Sequence, residues 1–274
     1  MLRLGHIEFS NCLPIHASVL ERPPAGLEVV SDIPSRLNAA LEEGRIDVAP
    51  CSSIEFARHA DRYRILPKLV IGSDGPVYSI LFESSVPLDA LTDADVALPT
   101  ASATSVVLLR ILAELHWQVR PRYRWFTQGA EDPFAAGAKA ALWIGDVALR
   151  REAFAGHRLY DLGAVWNAWT GLPFAFAVWQ TGLPASRDAE LLELLDVLEQ
   201  SRGESLRDTR GLAERNASRF GIPAERLAEY WRTLRYDLDE PMIEGLLRYY
   251  RHASELSEAP RVSRLVWVGA HAAS

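Results

Sequence analysis

Residues 27–59, LEVVSDIPSRLNAALEEGRIDVAPCSSIEFARH, decide the fold. Leu27–Ile33 is a β-rich run that ends at Pro34-Ser35, where proline suits a first helical turn. Leu37, Ala40 and Leu41 then recur at helical spacing. Gly44 sits where a helix stops on a left-handed residue. Ile46–Pro50 is a second apolar run, Cys51-Ser52-Ser53 breaks it, and Glu55–His59 is helical again. Upstream, Leu2–Phe9 forms a strand that runs into Ser10-Asn11, and Pro14 opens a helix over Ile15–Leu20. Strand, loop and helix alternate three times within residues 2–59, the pattern of a parallel α/β sheet.

The pattern changes beyond residue 60. LVIGSDGPVYSILFESSV (69–86) reads as two extended runs joined by Gly72–Pro76, without a helix. Strand and helix then resume: Ala94–Leu98, a helix over Ser105–Leu115, strands at Tyr123–Phe126 and Ala141–Ile144, and a helix from Asp146. Trp166–Trp179 is expected as a second extended segment. After Ser186 the periodicity is helical throughout, with Leu191, Leu192, Leu195 and Leu198 on one face. Val262–Val268 is a candidate final strand. The expectation is an α/β chain of two lobes: residues 1–88 and 178–274 form the first, with the C-terminal helices, and residues 89–177 the second. Extended crossovers near Gly75–Ser85 and Thr170–Trp179 join them. A ligand belongs in the crevice beyond the strand carboxyl ends, between the lobes.

Composition narrows the function. The 274 residues are 49% hydrophobic and 24% charged, ordinary for a globular protein. The net charge of −7 argues against a nucleic-acid or anionic-membrane binder. Cys12 and Cys51 fit neither a disulfide framework nor a zinc cage. Lys68 and Lys139 are the only lysines, so a Schiff-base enzyme is disfavoured. The N-terminus has no apolar run of signal-peptide type, and Asn167, Thr170, Pro173 and Gln180 interrupt the apolar stretch 162–183. A cytoplasmic protein is expected. P-loop, dinucleotide-binding, zincin and nucleophile-elbow motifs are absent. The seven histidines form no i,i+3 or i,i+4 pair; His6 alone is placed to face a cleft.

Small polar residues gather at the expected strand ends: Ser10-Asn11, Ser52-Ser53, Ser79, Ser102-Ala103-Thr104-Ser105 and Gly145-Asp146. Such residues are ordinary helix caps. Several around one cleft also suit an anionic ligand, because helix N-termini attract negative charge. Trp166, Trp169, Phe174, Phe176 and Trp179 pack the lobe junction or line a pocket for a planar ring.

The chain resembles the chorismate dehydratase family of the futalosine route to menaquinone, whose members have a type II periplasmic-binding-protein fold. The resemblance lies in LGHIEFSNCLPI (4–15), IPSRLNAALEEGRIDVAPCSSIEFA (33–57), VYSILFESSVPLDAL (77–91), ATSVVLLRILAE (103–114), ALWIGDVALR (141–150) and DLGAVWNAWTGLPFAFAVW (161–179). The last motif favours this family over its sister, 1,4-dihydroxy-6-naphthoate synthase. Where relatives more often have Tyr-Leu-Asn-Thr, this chain has Phe9-Ser10-Asn11-Cys12, so a cysteine replaces a hydroxyl. The resemblance implies a hydro-lyase that removes water from chorismate to give 3-[(1-carboxyvinyl)oxy]benzoate, with no cofactor or metal and no membrane or nucleic-acid partner. It points to Asn11 and Ser79 nearest the reacting carbons. Ser10, Ser52, Ser53, Thr104, Ser105, Gly145 and Asp146 are then expected to hold the substrate. The enolpyruvyl carboxylate is the expected proton acceptor, with His6 or Glu55 as rival protein bases. A cytoplasmic small-carboxylate binding protein is the alternative from another functional class, and the oligomeric state is left open.

Overall fold

The computed structural model describes residues 1–269; His271 lies outside them. In chain order the elements are β1 Leu2–Ile7, α1 Leu13–Glu21, β2 Leu27–Asp32, α2 Pro34–Glu42, β3 Val48–Ser52, α3 Ser53–Arg58, β4 Arg64–Ser73, β5 Ile80–Ser84, β6 Asp95–Pro99, α4 Thr104–Ile111, β7 Arg122–Phe126, β8 Ala140–Ile144, α5 Gly145–Leu149, β9 Arg158–Asp161, α6 Leu162–Thr170, β10 Phe174–Thr181, α7 Asp188–Arg207, α8 Thr209–Phe220, α9 Ala224–Thr233, β11 Leu234–Leu238 and α10 Glu240–Glu255. No helix among the described residues is long and apolar enough to cross a membrane.

Two sheets form, in the orders β11-β4-β10-β3-β1-β2 and β7-β6-β8-β5-β9. β1, β2 and β3 pair in parallel, as do β6, β7 and β8. The sheets are mixed, however, because β10, β11 and β5 all run antiparallel to their neighbours. Every residue of β3, β5, β8 and β10 is buried, which explains their mostly apolar composition. Strand membership fixes where the chain changes sheet: between Ser73 and Ile80, and again between Asp161 and Phe174. β5 therefore lies in the second sheet, and all of β10 in the first, relative to the 88/89 and 177/178 divisions.

Three other expectations are corrected. Trp166–Trp179 is not one extended segment: α6 occupies Leu162–Thr170 before β10 begins. Asp161 caps this helix by accepting from the Ala164 N–H, and Gly171 ends it at φ +72°. The region after Ser186 is not wholly helical, since β11 pairs with β4. The tail makes a single bridge, Trp267 to Ile65, rather than a strand.

The motif 161–179 builds the junction. Asp161 accepts from the N–H groups of Val77 and Tyr78 in the first crossover. Asn167 donates to Asp74 of the first crossover and to the Leu172 carbonyl of the second. A Cβ on Gly163 would lie 2.6 Å from the Gly75 carbonyl oxygen. One helix thus rides over both connections. Gly245 of α10 makes an equally close approach: a Cβ there would sit 2.1 Å from the Pro173 carbonyl oxygen. A helical Gly→Ala change ordinarily stabilises by about 1 kcal/mol. Gly245→Ala is expected to do the reverse and cost about 1–3 kcal/mol through overpacking, read from urea unfolding.

Candidate active site

A cleft runs between the sheets at the carboxyl ends of β1, β3 and β8. It is lined by Ile7, Phe9, Asn11, Pro34, Ser52, Ile71, Phe176 and Ala177 from one side and Ile80, Ser102, Ser105, Ile144 and Gly145 from the other, around a narrow cavity of about 50 Å³. None of these lining residues carries an ionisable side chain. Apolar walls with a few hydroxyls, one amide and nearby helix N-termini make a poorly hydrated site for a ring bearing anionic groups.

Asn11, Ser52, Ser105 and Gly145 line the cleft. The Asn11 Oδ1 is buried with no hydrogen-bond partner. Such an orphan in a pocket marks a place for a ligand atom. Ser105 lies in the first turn of α4: its N–H donates to Ser102 Oγ, and the two hydroxyls are 3.1 Å apart. Gly145 stands at φ +60°, and a Cβ there would meet the Phe9 ring at 2.9 Å. Its N–H donates to the Ser79 carbonyl at 2.8 Å, so the backbone amide expected to hold a carboxylate is engaged within the protein.

The remaining expected residues join the lobes to each other. Asp146 accepts from both the N–H and the hydroxyl of Ser10. Burial pushes the Asp146 carboxyl above its usual range, while these Ser10 bonds oppose the shift. Thr104 Oγ1 lies 3.4 Å from Ser53 Oγ and accepts from the Ile54 N–H at 3.3 Å. The Ser53 hydroxyl donates to the Ala175 carbonyl. Ser79 is buried, and its Oγ accepts from the Tyr230 phenol at 2.8 Å. Further links are Tyr249 to the Thr104 carbonyl, Arg150 to the Phe220 carbonyl and Arg110 to Glu258. The lobes are closed on one another.

Sequence reasoning missed the residues that hold the site from behind. Trp231 Nε1–H donates to the Ser10 carbonyl at 2.8 Å, and the Tyr236 phenol to the Asn11 carbonyl at 3.2 Å. With Tyr230 they come from α9 and β11, where the periodicity signalled only an amphipathic helix. Of the aromatic run, Phe176 lines the cleft. Trp166 is buried beside the second crossover and donates to the Pro173 carbonyl.

His6 does not present a base to the cleft. It is buried, with Nδ1 3.0 Å from His16 Nδ1. Trp179 Nε1–H donates to His16 Nε2. An indole nitrogen only donates, so neutral His16 carries its proton on Nδ1 and gives it to His6 Nδ1. The His6 lone pair is thereby occupied, and burial followed by the charge of Arg219 lowers its pKa to about 4. Cys12 Sγ lies within 4.8 Å of both imidazoles. A metal on both Nδ1 atoms would require His16 to lose its last proton. Burial raises the Cys12 thiol to about 12; position 12 faces this core cluster, not the cleft. Glu55 pairs with Arg58 and His59, away from the cleft lining.

The chain matches the model of the family described as "Menaquinone biosynthesis" over residues 2–255. It is 31% identical to a chorismate dehydratase of Thermus thermophilus, across 94% of this chain and 96% of that one. A chorismate dehydratase of Campylobacter jejuni is also 31% identical, over 63% and 64% of the two chains. Among solved structures, protein AF1704 of Archaeoglobus fulgidus superposes with a TM-score of 0.76 at 18% identity, covering 94% of this chain and 98% of that chain. The periplasmic aliphatic sulphonate binding protein SsuA of Escherichia coli superposes at 0.67 and 13%, covering 100% and 95%. The fold is that of the periplasmic binding proteins.

Proposed function

The chain belongs to the menaquinone-biosynthesis family, and from that premise we infer that it is a chorismate dehydratase, a hydro-lyase forming 3-[(1-carboxyvinyl)oxy]benzoate. One observation carries the mechanism: the cleft lining holds no acid, no histidine and no lysine. The reaction breaks the C3–H bond and the C4–O bond of the ring. The product is aromatic, so the substrate supplies most of the driving force. The protein's part is to bind two carboxylates, fix one conformer and exclude water.

With no base in the lining, the enolpyruvyl carboxylate of the substrate takes the C3 proton. Asn11 suits this task. A carboxylate only accepts hydrogen bonds, whereas one edge of an amide presents an N–H donor beside an oxygen acceptor. Those two atoms match a carboxylic acid, C=O to N–H and O–H to Oδ1. The orphaned Asn11 Oδ1 thus favours the protonated form, and a hydrogen bond to the neutral form raises a carboxyl pKa. Asn11 makes the substrate carboxylate a stronger base as the proton arrives. Ser52, Ser102 and Ser105 hold the ring carboxylate beside the first turn of α4, where the helix dipole favours negative charge. Ser53, Thr104, Ser10 and Asp146 join the lobes around it. Ser79, buried and tied through its carbonyl to Gly145 of the lining, is assigned to the departing C4 hydroxyl.

Incubation with chorismate tests the reading: loss of the ring diene absorbance with appearance of the enolpyruvyl benzoate supports it. Binding without consumption makes the protein a carboxylate receptor instead. Two further outcomes are expected. Glu55→Gln retains near-normal turnover. The rate stays flat between about pH 6 and 8, where a histidine base would impose a step; such a step, or loss of activity in Glu55→Gln, would restore a protein base.

A further inference from the structure

Resting on the dehydration reading above, we infer that Tyr230 is a positioning residue, whose phenol donates to Ser79 Oγ and thereby turns the Ser79 hydroxyl proton toward the departing hydroxyl of the substrate. The Ser79 main chain is already fixed. Its carbonyl accepts from Gly145, and Asp161 holds the N–H groups of the two preceding residues. What the backbone cannot fix is the rotation of the hydroxyl. A serine hydroxyl has one proton and two lone pairs. Tyr230 occupies a lone pair at 2.8 Å, so the proton is left for another acceptor.

The direction of this bond follows from the neighbours. Tyr230 is buried on α9, and burial, together with the charges of Asp146 and Asp161, keeps its phenol protonated, well above the ordinary tyrosine range. The phenol's hydrogen bond is to Ser79, and a protonated phenol there donates. The order is therefore Tyr230 to Ser79, and Ser79 to the leaving oxygen. Each donor in such a chain strengthens the next. Tyr230 thus acts through Ser79, and it is not among the residues that line the cleft.

The step balances without a change in the protein's own protonation. The C3–H electron pair becomes the C3–C4 π bond, and the C3 proton passes to the enolpyruvyl carboxylate. The C4–O pair leaves with its oxygen, which accepts that proton and departs as water. Ser79 stabilises negative charge on this oxygen while the bond lengthens, and Tyr230 makes Ser79 a preset donor.

The test is a double-mutant cycle on the whole chain, with chorismate as substrate. Tyr230→Phe is expected to lower kcat about 10- to 100-fold, with KM and the affinity for the enolpyruvyl benzoate product changed by no more than about twofold. Product affinity, measured by calorimetry, also reports that the variant is folded. In a Ser79→Ala background, adding Tyr230→Phe should cost nothing further, because the two residues act as one unit. The role is overturned if the wild type turns over and Tyr230→Phe does too at the same kcat. It is equally overturned if the two losses multiply, or if product affinity falls in step with kcat, which marks a packing defect. A wild type that leaves chorismate intact sinks the dehydration reading first, and the role of Tyr230 with it.

Discussion

Asn11→Leu lowers kcat for chorismate dehydration by about 100- to 1,000-fold, the loss typical of removing one preorganised hydrogen-bonding group from a transition state. Leucine keeps the branched four-atom shape of the asparagine side chain, although its methyls are bulkier, so the cleft stays filled. What disappears is the paired donor and acceptor that favours a carboxyl group as it gains a proton. Substrate affinity should change much less than kcat, since Asn11 matches the carboxyl group after proton transfer better than before it. Asn11→Asp sharpens the test. It keeps the size but places a negative charge in a cleft whose lining otherwise has none, facing a dianionic substrate. Both kcat and affinity should then fall at neutral pH. Recovery on acidification is expected, as a protonated aspartic acid again offers both a donor and an acceptor. The readout is the initial rate of diene loss at several substrate concentrations. Near-normal kcat in Asn11→Leu would remove Asn11 from the chemistry.

The first lobe was legible in the sequence because local signals agreed there. Pro34 sits at the start of α2 and Gly44, at φ +69°, follows its end. Each of β1, β2 and β3 falls within about two residues of its expected run. The strand-end polar residues could be named for the same reason: a loop between a strand and a helix must supply caps. Which of them face a ligand depends on lobe closure, a long-range property. Ser10 and Asp146 are 136 residues apart in the chain yet bond to each other, and no local pattern encodes that. β11 was hidden because LRYDL directly follows α9 and carries two charged side chains. Its strand state is set by pairing with β4, so tertiary contact overrides propensity. α6 was hidden because tryptophan and glycine dilute its helical signal, although Asp161 and Gly171 mark both ends. Tyr230 carried no local signal of its role, because its bond to Ser79 spans 151 positions.

Closure and rigidity also have separate origins in this molecule. The cleft is bounded by contacts that cross between the lobes, Ser10 to Asp146 and Ser53 to Thr104 among them. The second lobe is held by an ionic cluster set well away from the cleft lining. Glu83 of β5 is wholly buried and accepts from Arg151 at 2.5 Å, Trp143 Nε1–H at 3.1 Å, the Phe154 N–H at 3.1 Å and His157 at 2.9 Å. The Arg151 guanidinium also lies 3.7 Å from the Trp143 ring centre. Burial by itself would raise the Glu83 carboxyl, but the bonds from Arg151, Phe154 and His157 outweigh it and hold it below its ordinary value.

Glu83→Gln should therefore destabilise the fold by about 3–5 kcal/mol, the usual result of removing one partner from a buried ion pair. The glutamine is similar in size, so the loss comes from charge and donor mismatch rather than from a cavity. Arg151 is left mostly buried without its counter-charge, and the new amide N–H groups face existing donors. A melting temperature lower by about 6–20 °C follows at this chain length. The pH dependence fixes the origin. A carboxyl whose folded pKa is depressed contributes stability above its unfolded pKa, and that contribution is lost as pH falls through the folded value. Wild type should therefore lose this component below the ordinary glutamate pKa of 4.5, while Glu83→Gln has none to lose. The gap between the two melting temperatures must narrow on acidification. At temperatures where the variant is folded, kcat should match wild type, since no member of the cluster lines the cleft. An unchanged melting temperature at neutral pH, or a gap that stays constant into acid, would show that Glu83 does not anchor the second lobe through its charge.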